Sequence, residues 1–142
     1  MKKLILVLIL LVSLMAFPQS ENVVGSYKIT LGNEENHLIE YTLVLNSDHT
    51  FFFHAFTDIK KGIPPQVNTY GKGTWIFENN IVSFSADKNI DFNEKYTLDF
   101  NNTKARFVAK SPIDKTNREI KTRLRFFKSD IPWMRRIDLQ KI

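Results

Sequence analysis

Leu43-Val44-Leu45-Asn46-Ser47-Asp48-His49-Thr50-Phe51-Phe52-Phe53 reads as strand, tight polar turn, strand. Apolar residues flank a short turn whose Asp48 is suited to accept from nearby backbone donors. A second unit of the same kind follows at Gly71-Lys72-Gly73-Thr74-Trp75-Ile76-Phe77-Glu78-Asn79-Asn80-Ile81-Val82-Ser83-Phe84. It turns at Asn79-Asn80, a pair that tolerates the positive φ angles of a two-residue hairpin loop. Two such units in succession announce an antiparallel meander.

Outward from this pair the period-two pattern continues. Residues 23–31 form a first strand, closed by the polar turn 32–36. In 38–45, Ile39, Tyr41, Leu43 and Leu45 share one face while Glu40, Thr42 and Val44 take the other. Residues 50–57 are apolar on both faces, so this strand is either covered twice or carries an exposed aromatic patch. From 58 to 68 the periodicity lapses, and Pro64-Pro65 remove donors that a sheet interior needs, which predicts a long central loop. Further strands are expected at 96–100, 105–110, 120–127 and 137–142. The total is about nine strands with short links and no sustained helical period, which favours an all-β, closed or nearly closed up-and-down barrel.

The chain has 142 residues, 43% of them hydrophobic, enough for one core. Met1-Lys2-Lys3, the apolar run 4–14 and the small-residue neighbourhood 15–20 have the layout of a cleaved signal peptide, cut after Ala16 or Ser20. That run is shorter than the roughly 20 residues of a membrane span. Residues 21–142 are then a single domain, expected in the periplasm or outside the cell, and expected to be a monomer. With no cysteine, the chain has no lipid-anchor thiol, disulfide or thiolate metal site. Charge is divided: residues 21–102 carry 6 Lys/Arg against 11 Asp/Glu, residues 103–142 carry 12 against 4. Such asymmetry reads either as an anionic partner or as outward charges that pair across the barrel.

With the strands placed, the chain resembles the bacterial lipocalin-like domains, small exported barrels of the calycin type. Three short features carry the resemblance: Gly25-Ser26-Tyr27 where lipocalins have Gly-x-Trp, the turn from Leu45 to Phe51 like their Leu-x-x-Asp-Gly-Thr-Phe turn, and Gly73-Thr74-Trp75 opening a mid-chain strand. Tyr27 and His49 depart from the usual Trp and Gly. The resemblance implies a basic residue packed over the first-strand aromatic, here Arg135 or Arg136 over Tyr27. It also implies a barrel interior able to take a small apolar molecule.

Residue chemistry points away from catalysis. His37, His49 and His54 have no metal-ligand spacing, the paired acids fall in predicted loops, and no nucleophile elbow or phosphate-binding glycine loop occurs. No cofactor and no metal are expected, and export argues against nucleic acid. Two surfaces remain. The first is the barrel interior, with Tyr41, Phe53, Trp75, Phe84, Phe107 and Phe126 as candidate contacts for a small apolar or amphipathic ligand. The second is an outward basic face at Lys121, Arg123 and Arg125, suited to an anionic partner. In the second case the barrel is filled and works as an envelope scaffold.

Overall fold

The structure is a computed structural model that describes residues 22–142. The expected signal peptide lies outside the described residues. Eight antiparallel strands in sequence order close into an up-and-down barrel: β1 (Gly25–Asn33), β2 (His37–Leu45), β3 (Thr50–Ile59), β4 (Gln66–Glu78), β5 (Ile81–Ser85), β6 (Thr103–Val108), β7 (Arg123–Lys128) and β8 (Asp138–Lys141). Closure is made where β8 returns to β1, pairing Tyr27 with Lys141 and Lys28 with Gln140.

Both opening hairpins form as the pattern dictates. Asp48 Oδ1 accepts from the Thr50 backbone and hydroxyl, His49 takes φ 68°, and Asn79 and Asn80 take φ 52° and 61°. These are left-handed conformations that Asn and His tolerate better than most residues.

The two halves of the wall are unequal. Strands β1 to β4 have 9, 9, 10 and 13 residues, whereas β5 to β8 have 5, 6, 6 and 4. The long half therefore projects past the short half at one rim. Part of this extension replaces the expected loop over residues 58–68. Asp58, Thr57 and Phe56 pair with Gln66, Val67 and Asn68, and the chain reverses only over residues 60–65. Pro64 and Pro65 sit in that reversal, where no ladder donor is needed.

One expected strand is absent. Residues 96–100 make a single bridge, Tyr70 with Tyr96, and then turn Phe100 inward. Phe100 is fully buried against Phe51, Phe53 and Phe84 at ring separations of 5.0–5.9 Å. A Cβ on Gly71 would stand 2.7 Å from its ring, and one on Gly73 would stand 2.1 Å from the Ser85 carbonyl oxygen. These two glycines let an aromatic plug and a neighbouring backbone come close to β4.

Candidate functional site

Inward residues of β1 to β4 form cross-strand rows. The rows Gly25–Leu45–Phe51–Gly73 and Tyr27–Leu43–Phe53–Gly71 lie in the core. Of the six residues expected inside, Tyr41, Phe53, Trp75, Phe84 and Phe126 are buried. They meet other side chains rather than open space. Phe84 stacks on Phe126 at 5.7 Å and takes Phe51 edge-on at 5.0 Å, and Trp75 Nε1 donates to the carbonyls of Asn46 and Thr50. The buried hydroxyls of Thr103 and Ser129 bond one another at 2.8 Å. Phe107 departs from the group. It is half-buried near the opposite rim, edge-on to Phe77 at 5.9 Å, and lines a cleft of about 690 Å³ with Lys110, Thr122 and Lys141.

Above the packed rows the same inner face continues as Ile29–Tyr41–Ala55–Thr69 and then Leu31–Ile39–Thr57–Val67. Neither row contains a charge. Leu31 is 40% exposed and Val67 43%, and Ile59, opposite His37 in the next row, is 40% exposed. Trp133 packs against this face. Its ring stacks on Tyr41 at 4.8 Å and 19° and lies 5.9 Å from Phe53, yet it stays 37% exposed. A short 3-10 turn, Pro132–Met134, holds it there, pinned by the buried side chains of Ile131 and Met134. Burial pushes the Tyr41 hydroxyl above its usual range, so it is a neutral hydrogen-bonding group on this face. Sequence reading found Tyr41 but not Trp133, which lies in an aperiodic segment. The exposed wall was hidden by the expected loop.

The basic face is only partly as expected. Arg123 and Arg125 point outward from β7 and share one carboxylate: Arg125 Nε lies 3.1 Å from Asp138 Oδ1 and Arg123 Nε 3.6 Å from Oδ2. That hydrogen-bonded ion pair raises the Arg125 pKa further. Lys121 is exposed and precedes the strand rather than continuing its face. Across the ladder, Lys104 faces Lys128 and Arg106 faces Arg125, with Arg106 also over the Phe127 ring at 5.8 Å. The pairing of acidic and basic parts across the barrel is not found among the described residues. Every ion pair there joins residues of the same part: Lys28–Glu40, Lys60–Asp58, Arg118–Asp114 and the two arginines with Asp138.

Tyr27 is also placed differently from the resemblance. Its hydroxyl donates to the Val23 carbonyl and its ring is fully buried. Arg135 Nε instead donates to the Ser129 carbonyl, and no cation-π contact among the described residues involves Tyr27. Among the described residues no three His, Asp or Glu side chains are grouped to hold a metal ion.

The chain matches no family model, no curated protein and no solved structure. The closed up-and-down wall of eight strands is consistent with a lipocalin-like fold, and the likeness rests on architecture.

Proposed function

We propose that the protein is an exported binding module that holds the apolar part of a small ligand in the half-open cup at its long rim. The observation that carries this reading is the uncharged inner row Leu31–Ile39–Thr57–Val67, left partly exposed above a core that is filled by aromatic rings. Concave apolar surface with a few hydroxyls is the usual chemistry of small-molecule sites. Thr57, Thr69 and Tyr41 supply the hydroxyls, and Trp133 supplies a flat ring. The ligand rests on the core instead of entering it. Phe53, Trp75, Phe84 and Phe126 are then scaffold, and Tyr41 alone of the six expected residues is a contact.

The test is titration with the neutral fluorophore N-phenyl-1-naphthylamine, read by its emission and by energy transfer from tryptophan. Wild type is expected to bind, and Trp133→Ala or Val67→Asp to weaken binding about tenfold or more, a loss of about 1.4 kcal/mol. Binding that neither substitution changes sinks the proposal.

A second reading is an interaction surface for an anionic partner on β6 and β7. It is favoured by the like charges held opposite one another at Lys104–Lys128, which an anion would relieve.

A further inference from the structure

The outer face of the same long sheet carries a different feature. Outward residues form the rows Val44–Phe52–Lys72 and Thr42–His54–Tyr70. Against them lies the segment 93–98, fastened to β4 by hydrogen bonds from Thr97 N and Leu98 N to the Tyr70 carbonyl, 3.1 Å each. Asn93 Oδ1 fixes its approach by accepting from Lys95 N and Tyr96 N. The result is a cleft of about 340 Å³ between sheet and segment, with Val44, Phe52, His54, Tyr70, Lys95 and Tyr96 among its lining residues.

Two lysines stand over its rings, and Glu40, ion-paired with Lys28, acts on His54 from the neighbouring row. Lys95 Nζ stands 4.7 Å from the Tyr70 ring centre and 5.5 Å from that of Tyr96, and Lys72 Nζ stands 4.8 Å from Tyr96. Neither lysine belongs to an ion pair among the described residues. Lys72 also borders a neighbouring hollow that contains Asp48 and Asp91, so Lys95 is the principal cation. An ammonium group held over aromatic rings has lost conformational freedom but kept its charge, which lowers the cost of meeting an anion there. Beside it, Phe52 is 45% exposed and gives an apolar flat surface. One face of Tyr70 is already taken by His54, stacked at 4.7 Å and 9°. Phe52 and Lys95 line the same cleft, so an apolar ring surface and a cation are offered together there.

We propose that this outer cleft binds a carboxylate carried on a six-membered ring, whether an aryl acid or a sugar acid. The site is separate from the inner cup, which lies on the other face of the same strands, and does not depend on it.

The experiment is titration of the full chain, followed by amide chemical shifts, with benzoate, galacturonate, acetate and benzyl alcohol. At least one ring carboxylate is expected to bind at about millimolar concentration. Acetate and benzyl alcohol are expected to bind at least tenfold more weakly. Lys95→Met and Phe52→Ala each reduce binding of the ring acid at least tenfold, Lys95→Arg restores it, and Trp133→Ala leaves it unchanged. Phe52 and Lys95 are exposed, so these variants keep the melting transition of the parent. Benzoate alone identifies an aryl acid, galacturonate alone a sugar acid, and both confirm the shared chemistry. Failure of both acids to bind, binding of acetate as tight as theirs, or indifference to Lys95→Met and Phe52→Ala overturns the proposal. Loss of binding in Trp133→Ala overturns the separateness of the two sites.

Discussion

Tyr27 stands where the resemblance expects tryptophan, and its burial gives it a pH signature. The hydroxyl has lost water and donates to Val23, so the folded pKa lies well above the usual tyrosine value. A pKa raised on folding contributes stability that is complete below the unfolded value and lost as pH rises through the folded one. Stability is therefore expected to fall above about pH 10. Tyr27→Phe should cost about 1–2 kcal/mol at neutral pH through the orphaned Val23 carbonyl, and should lose less than the parent between about pH 8 and pH 11. Denaturant midpoints at the two pH values check both limbs. Single residues also show what sequence reading can reach. Asp48, His49, Asn79 and Asn80 were legible because a turn imposes local demands on φ and on donors. Phe100 was not, because its burial depends on the missing side chain of Gly71, distant in sequence and adjacent in space.

At the level of elements, strands β1, β2 and β5 were readable from alternation, while the extension of β3 and β4 was not. Two prolines look alike in a long loop and at the tip of a long hairpin, and only pairing across the sheet separates them. The candidate cup was lost with that extension, and Trp133 with it. On the β6–β7 ladder Lys104 faces Lys128, a like-charge pair that sequence alternation alone could not reveal, since register decides which charges face. Lys128→Glu puts an acid opposite Lys104 and is expected to stabilise the fold by about 0.5 kcal/mol. Raising salt from roughly 20 to 500 mM should stabilise the parent more than the variant, because screening removes a repulsion the variant no longer has. Equal salt responses in thermal melts would show that the two lysines do not interact.

For the molecule as a whole, an acidic part and a basic part keep their own ion pairs, so the charge division written along the chain survives folding as a division in space. The seam that joins them on one side is also the joint that closes the barrel. It consists of Tyr27 with Lys141 and Lys28 with Gln140, helped by Lys141 Nζ reaching the Asn22 carbonyl across 119 positions of sequence. In native-state hydrogen exchange, amides of β8 are expected to open at lower free energy than those of β2, which is paired along its full length on both edges, and of β3, paired on both edges from Phe51 to Asp58. Uniform protection around the wall would contradict this. The same seam sets an order of events during biogenesis. A chain delivered vectorially, whether by synthesis or by passage through a membrane, cannot complete its wall while only seven strands have emerged, because the partner of the first strand is the eighth. Until then β1 and β7 present open edges, and the nascent chain needs a chaperone or rapid release to avoid pairing with its neighbours.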